Sequence, residues 1–189
     1  MHRDQHGLRW VADRVARARA ARVVRVFELQ FVQAGHRSAL LTFEVENRDY
    51  FAASISDRGD EYFAQFTERH NALLAEQQAG TTAGYVLVEE DGTVVGRFNL
   101  YRIHDDTADV GYRIAERVAG HGIATATLQE LCRLARAEHG LSALRAATSN
   151  QNIPSQRVLI KAGFVRAEPA APADIGGKEG HWYRRHLDP

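Results

Sequence analysis

Apolar and polar positions change their spacing within the first 32 residues. Leu8, Val11 and Val15 recur at helical intervals, which predicts a helix over residues 8–21 inside an N-terminal helical extension, residues 1–22. Between residues 24 and 32 apolar residues alternate with polar ones, which is the period of a half-buried strand. We therefore expect a single domain to start at residue 23 and to run to residue 189.

The following segments combine helical spacing with a series of short strands. Apolar residues three and four apart predict one helix in residues 37–54 and a second in residues 60–80. Alternating stretches at 85–88, 94–103 and 108–114 then predict three strands. The dipeptides Asp91-Gly92 and Asp105-Asp106 separate them as turns, so these strands form an antiparallel meander.

The last third of the chain alternates helix and strand. A helix is expected over Ile123–His139 with Gly140 at its end, then a strand within 141–149. A short helix follows from Pro154, and residues 174–187 are expected to form a hairpin whose second strand is 181–187. The predicted fold class is α/β (α+β): a central, twisted, mixed and mostly antiparallel sheet flanked by helices, with one strand–helix–strand crossover.

Composition excludes several classes of function. Lys and Arg together number 24, as do Asp and Glu, so a formal net charge of zero gives no general attraction to nucleic acid or to acidic membranes. The longest apolar runs are too short to span a bilayer, so no membrane partner is expected. The nine histidines are scattered, which does not favour a metal site. The single Cys132 allows no disulfide within the chain and fits a cytoplasmic location.

The stretch "RVAGHGIATATLQELC" places Gly120 and Gly122 directly before the helix that begins at Ile123. A helix entered through Gly-x-Gly offers free backbone N–H groups and the positive end of the helix dipole, which suits a phosphate. The P-loop is excluded because Gly-Lys-Ser/Thr is missing, and the Rossmann fingerprint because its third glycine is absent. A tight packing turn would have the same pattern, so the two glycines alone leave both interpretations open.

Two further segments decide between these interpretations. The pattern Arg117-x-x-Gly120-x-Gly122-x-Ala124 resembles the acetyl-CoA pyrophosphate loop of the GNAT N-acetyltransferases. "SNQNIPSQRVLIKAGF" and "FEVENRDYF" are similar to segments of their RimJ/RimL-like branch, which includes ribosomal-protein-alanine N-acetyltransferases. The resemblance covers residues 24–187. It implies the GNAT acyl-CoA N-acyltransferase fold and an acyltransferase that moves acetyl from acetyl-CoA to a primary amine by direct attack in a ternary complex.

The resemblance also implies a cofactor site. Glycine is needed at the loop because a side chain would hold phosphate oxygens away from the N–H groups. The strand "DVGYRI" would pair with the pantetheine arm, and Asn152 and Ser155 would lie near that arm and its thiol, although both could also act as helix caps. The implied cofactor-binding residues are Tyr112, Arg113, Ile114, Arg117, Val118, Ala119, Gly120, His121, Gly122, Ile123, Ala124, Asn152 and Ser155.

Proton transfer needs two further groups. Ser155 is the candidate that protonates the departing thiolate, with Tyr183 as a rival. Asp109, at the start of the same strand, is the first candidate for a base acting through water on the attacking amine. On the first long helix, Glu44 and Glu46 are alternative bases. Glu44, Glu46 and Asn47 are the candidate acceptor-binding residues.

The acceptor stays open at this stage. A protein N-terminal α-amine, an antibiotic or metabolite, and a polyamine or amino acid are all compatible with the resemblance. A wide, acidic cleft would favour peptide N-termini or cationic antibiotics. A non-catalytic acyl-CoA-binding module is the alternative to an enzyme, although the presence of Asn152 and Ser155 favours the enzyme. A homodimer is left open as the assembly.

Overall fold

The computed structural model describes residues 8–11 and 26–187. Within them, eight strands form one sheet: β1 (Leu8–Val11), β2 (Val26–Phe31), β3 (Thr82–Glu89), β4 (Val94–His104), β5 (Thr107–Ile114), β6 (Ala143–Ser149), β7 (Val165–Ala170) and β8 (Gly180–His186). The helices of this part are α1 (Arg37–Glu46), α2 (Arg48–Ala52), α3 (Asp60–Ala64), α4 (Phe66–Gln78), α5 (Ile123–His139) and α6 (Ile153–Lys161). Short 3-10 helices cover Ala34–His36, Glu116–Val118 and Pro172–Ile175.

The sheet has the order β1-β2-β3-β4-β5-β6-β8-β7. All neighbouring strands are antiparallel except β5 and β6, which are parallel and are connected by α5. A parallel pair needs such a crossover, because the chain has to return to the end of the sheet from which it left. The predicted fold class, the meander and the single crossover are therefore confirmed.

Strands β5 and β6 separate soon after they meet. They pair only at Thr107–Ala143, Ala108–Leu144 and Asp109–Arg145, although β5 continues to Ile114 and β6 to Ser149. Over these later residues β5 stays paired with β4 on its other edge. The edge that faces β6 is thus left without a partner among the described strands, and a gap opens between the two strands.

Side chains of β4 alternate between the two faces of the sheet, as a strand requires. Phe98 and Leu100 are fully buried (0% exposed), and Phe98 stacks on Tyr112, whose hydroxyl contacts α6. Arg97 points to the opposite face, where it contacts Glu44 of α1 and Tyr62 of α3. Helices therefore cover both faces, with α1, α3 and α4 on one and α5 and α6 on the other.

The structure corrects the N-terminal prediction. Leu8–Val11 form an edge strand paired with β2 instead of the start of a helix. The tetrapeptide LRWV carries Trp and Val, which favour strands, and the edge of β2 supplies backbone partners. The rest of the predicted helix, and the start of the next strand at residues 24–25, lie outside the described residues.

The predicted C-terminal hairpin is wrong in its first strand. The partner of β8 is β7 at Val165–Ala170, and the segment that was expected to supply it begins within the 3-10 helix Pro172–Ile175. Pro169 lies in β7, which a central strand would not tolerate but an edge strand does, because its outer N–H groups need no partner. Each of the two predicted long helices is also divided, at Asn47 and at Gln65.

None of the helices in the described part of the chain has the length and the apolar character that crossing a membrane requires.

Candidate active site

Two cavities meet at the point where β5 and β6 separate. The central cavity, about 380 Å³, lies between the diverging strands and is bordered by β4. The loop groove, about 500 Å³, runs from the end of β5 along the segment before α5 to α6. Both are lined by Ser54, Ile55, Tyr112, Arg113, Asn152 and Ser155. A molecule in one cavity can therefore reach a molecule in the other at these residues.

The glycine segment forms one wall of the loop groove. Gly120 and Gly122 have φ of +78° and +80°, a left-handed conformation that favours glycine. A Cβ at either position would meet no protein atom within 4 Å, so the space in front of the backbone is open. Gly122 is the N-cap of α5, and no side chain of the residues that the structure describes caps this helix. The first N–H groups of α5 are thus available to a ligand at its positive end.

The predicted loop residues are placed in different ways. Val118, Ala119, Gly120, Gly122 and Ala124 line the loop groove. Ile123 turns its side chain into the core, and His121 is exposed to solvent. The Arg117 guanidinium lies against Glu89 of β3, with Nη1 donating to Oε1 at 3.0 Å. The carboxylate at this contact raises the pKa of Arg117.

Two cationic side chains of the loop groove were not predicted as cofactor contacts. Arg157 and Lys161 of α6 line it together with the glycine segment. They lie four residues apart, so they share one face of the helix. Lys161 lies in the motif "VLIKAGF". The four-residue spacing between Arg157 and Lys161 was the sequence signal that could have predicted this pair.

Tyr112 and Ser155 form a hydroxyl pair where the cavities meet. The Tyr112 hydroxyl lies 3.1 Å from Ser155 Oγ, and either group can donate. Burial raises the pKa of Tyr112, so the phenol keeps its proton at neutral pH. Its ring is fixed by stacking on Phe98, with centroids 5.7 Å apart. The sequence predicted Tyr112 as a cofactor contact but not this partnership.

At the start of α6, the atoms that form the helix cap differ from the hydroxyl that could act in the reaction. Asn152 is the N-cap, and its Oδ1 accepts the backbone N–H of Ser155 at 3.1 Å. The Ser155 hydroxyl takes no part in that bond, so it is free to face the junction. Tyr183, the rival donor, is buried in the hydrophobic core and lines neither cavity.

The floor of the central cavity comes from alternate residues of β4. Arg97, Asn99 and Tyr101 line it, and none of them was predicted as a site residue. Arg97 Nε and Asn99 Oδ1 are buried and have no hydrogen-bond partner within the described ranges. The alternation in "RFNLY" was the available signal, because it puts polar side chains on one face of a strand in the middle of the sheet.

Glu44 lies beneath this floor, surrounded by three arginines. Its Oε2 accepts from Arg113 at 2.8 Å, and its Oε1 lies 3.3 Å from Arg97 and 3.9 Å from Arg58. The carboxylate is 1% exposed, while the three guanidinium side chains are 15–30% exposed. Burial and then the charge of Arg58 lower the pKa of Arg113. We call Arg58, Arg97 and Arg113 the arginine cluster.

The predicted acceptor residues therefore do not line the central cavity. Glu44 supports the arginine cluster from below, and Glu46 is exposed at the end of α1. Asn47 ties the α1–α2 junction to the segment before the glycines, because its Oδ1 accepts the N–H of Glu116 at 3.0 Å. The alternation of Glu44 and Glu46 around the helix could not show which elements would face them.

Asp109 lies at the last residue pair that joins β5 and β6. The Arg145 Nε donates to its Oδ1 at 2.8 Å, and Arg102 Nη2 lies 2.5 Å from its Oδ2. The carboxylate is 2% exposed and is not among the lining residues of the central cavity. Each oxygen lies at ion-pair distance from a guanidinium group. This geometry favours a structural role, holding the two strands together where they begin to separate, over the predicted role as a base.

A family model described as an acetyltransferase (GNAT) domain matches residues 32–165, more than half of the chain. The chain belongs to the GNAT acetyltransferase family. It is 28% identical over 130 residues to the probable N-acetyltransferase YjcK of Bacillus subtilis (strain 168), which covers 66% of this chain and 72% of that protein. The predicted acetyltransferase activity and the use of acetyl-CoA are thereby confirmed.

Solved GNAT structures agree with the fold. The ribosomal-protein-S5-alanine acetyltransferase from Vibrio fischeri superposes with a TM-score of 0.78 at 18% identity, over 86% of this chain and 93% of that chain. Mycobacterium smegmatis RimJ in complex with CoA-disulfide gives a TM-score of 0.76 at 20% identity, over 85% of this chain and 82% of that chain. The likeness to the RimJ/RimL branch thus extends from the short motifs to the fold.

The loop groove fits the acetyl-CoA that GNAT enzymes use. Its glycines leave the space in front of the backbone open, and the start of α5 presents N–H donors to a phosphate. Arg157 and Lys161 add positive charge to the lining of the groove. The unpaired edge of β5 offers backbone groups to an extended ligand arm.

We expect Asp109→Asn to lower the free energy of unfolding by about 2 kcal/mol, because two guanidinium groups lose their charged partner. Urea unfolding measures this change. The pH profile of kcat/KM should keep its wild-type shape, since a carboxylate held between two guanidinium groups and outside the central cavity is poorly placed to take a proton from the acceptor. Unchanged stability together with an activity optimum moved to higher pH would restore Asp109 as the base.

Proposed function

We propose that this GNAT enzyme transfers acetyl at the junction of the two cavities, with the acceptor amine entering from the central cavity. The observation that supports this most directly is that Tyr112 and Ser155 line both cavities and lie 3.1 Å apart through their hydroxyls. The amine attacks directly within a ternary complex. No covalent enzyme intermediate is needed, because both partners can meet at one point.

Acetyl-CoA supplies the acetyl group as a thioester and leaves as a thiol. In this proposal the backbone N–H groups of residues 120–124 hold its pyrophosphate, because the N–H of Ala119 already donates to the carbonyl of Glu116, and Arg157 and Lys161 contribute charge to the same groove. The open edge of β5 over Tyr112, Arg113 and Ile114 holds the extended arm by main-chain hydrogen bonds. Asn152 keeps α6 in place through its cap and lines the same junction.

Ser155 is the proposed proton donor to the sulfur. Its Oγ lies at the junction, and the protonated Tyr112 hydroxyl beside it can return a proton to Oγ. Tyr112 is thus a positioning residue for Ser155 as well as a contact for acetyl-CoA. A donor placed at the leaving atom is worth about 100-fold or more in rate.

The arginine cluster helps the acceptor amine to lose its proton. Positive charges close to an amine disfavour its ammonium form, so a bound amine is deprotonated more readily than in water. Among the described residues that line the central cavity, Asp174 is the carboxylate, and it can receive that proton through water. A base in direct contact with the amine is therefore not required.

An assay of thiol release from acetyl-CoA with a series of primary amines separates this proposal from a non-catalytic acyl-CoA-binding module. Release of free thiol from acetyl-CoA should rise when a suitable primary amine is added, and the same preparation should bind CoA in calorimetry. Binding of CoA without amine-dependent release, over small amines and peptide N-termini alike, would favour the binding module. The cytoplasmic location and the homodimer stay predictions.

A further inference from the structure

The arginine cluster carries more positive charge than its carboxylate balances. Three guanidinium groups, which stay charged at every relevant pH, surround Glu44 alone. Two positive charges are therefore left over at the floor of the central cavity. Crowding of like charges is costly in a partly buried site, so the arrangement calls for another anion.

The cluster also has many N–H donors that no group in the described part of the chain uses. Three guanidinium groups offer about fifteen N–H donors. The hydrogen bonds found for them within the described ranges are two from Arg97 Nη1, to Glu44 and Tyr62, and one from Arg113 Nη1 to Glu44. Arg97 Nε has no partner there. Arg58 is 30% exposed and stacks over Tyr62 at 4.3 Å, which fixes its plane beside the cavity.

Other lining residues do not cancel this charge. Lys178 also lines the central cavity. Asp174 is the one acidic side chain among the described lining residues, and it faces Arg102 at 3.8 Å. The cavity is therefore basic, which is the opposite of the acidic cleft that peptide N-termini or cationic antibiotics would favour. A polyamine would meet repulsion in the same place.

We propose that the acceptor is a small primary amine that also carries a carboxylate or a phosphate, and that the arginine cluster binds this acidic group. The inference rests on the proposed function, because it assumes that the acceptor occupies the central cavity. Guanidinium groups bind such oxyanions by paired, charge-assisted hydrogen bonds. A volume of about 380 Å³ suits a small molecule.

The test compares matched amines that differ in the acidic group. O-phosphoethanolamine is paired with ethanolamine, and alanine with alaninamide, and kcat/KM is measured for each at saturating acetyl-CoA. We expect the acidic member of at least one pair to be preferred by about 10- to 100-fold, the effect of one or two charge-assisted hydrogen bonds. The pair with the larger ratio tells phosphate from carboxylate.

Arg58 is the residue to change, because its contact with Glu44 is the longest in the cluster. Arg58→Gln should lower the acidic-to-neutral ratio about tenfold, and Arg58→Lys should retain part of it. Arg133→Gln is the matched control, since it removes one arginine charge from the distant surface of α5, where Arg133 pairs with Glu130. This control should keep the wild-type ratio.

Several outcomes would overturn the proposal. A wild-type kcat/KM that is higher for the neutral member of each pair, for spermidine or for a neutral tetrapeptide amide would contradict it. So would an acidic-to-neutral ratio of kcat/KM that stays unchanged in Arg58→Gln. Calorimetry of O-phosphoethanolamine and of alanine in the presence of CoA separates the two proposals. If either acidic amine binds, binds more weakly to Arg58→Gln and is not acetylated, the anion site is supported and the proposed function is contradicted. If neutral amines are acetylated and neither acidic amine binds, the proposed function is supported and the anion site is contradicted.

Discussion

Gly122→Val is expected to weaken acetyl-CoA binding by at least about 100-fold. The valine Cβ would project into the open space in front of the loop, where nothing lies within 4 Å and where we place the pyrophosphate. Losing two charge-assisted hydrogen bonds to phosphate is enough for this loss of affinity. The change also strains the backbone, because φ is +80° at this N-cap, at a cost of roughly 1–2 kcal/mol.

Gly140→Val supplies the control for that strain. Gly140 is the C-cap of the same helix, with φ of +67° and likewise nothing within 4 Å of a Cβ. Both variants should therefore lose similar thermal stability, and Gly122→Val alone should lose binding of acetyl-CoA in calorimetry. Equal affinities of the two variants for acetyl-CoA would contradict the placement of the pyrophosphate at the glycine segment.

Ser155→Ala is expected to lower kcat about 100-fold with little change in the KM for acetyl-CoA. The helix cap should survive, because the bond to Asn152 uses the backbone N–H of Ser155 and not its hydroxyl. Thermal stability should accordingly stay close to that of the wild type. Steady-state kinetics and a thermal melt measure the two quantities on the same preparation.

Two further variants qualify this result. Tyr112→Phe keeps the ring that stacks on Phe98 and removes the partner of Ser155 Oγ, so we expect a smaller loss of kcat. Ser38→Ala, at an exposed serine on α1, should change neither rate nor stability. Full activity of Ser155→Ala would mean that the thiolate takes its proton from Tyr112 or from solvent.

The parts of the site that the sequence predicted are those built from adjacent residues. The turn at Gly120 and Gly122 and the cap at Asn152 depend on backbone geometry within a few positions. The arginine cluster could not be predicted in this way. Glu44 is brought to Arg58, Arg97 and Arg113 by the packing of α1 against the sheet, and no spacing along the chain encodes that contact.

The same distinction explains the errors in the fold. The helix α5 was predicted correctly, because its apolar stripe repeats over many residues and Gly140 ends it. Strand β7 was missed since its residues are mostly exposed and include Pro169, so apolar alternation is absent. Its pairing with β8 at the sheet edge supplies hydrogen bonds that a sequence pattern does not show.

The short contact between β5 and β6 divides the sheet mechanically. Five strands lie on one side of it and three on the other, and three residue pairs connect them. A joint so narrow resists relative rotation of the two parts less than a continuous ladder would. A ligand arm bonded to β5 and in contact with α6 bridges the gap beyond the joint. In the proposed complex the sheet is therefore more rigid when acetyl-CoA is bound than when the groove is empty. The donor substrate then contributes to the structure of the enzyme as well as to its reaction.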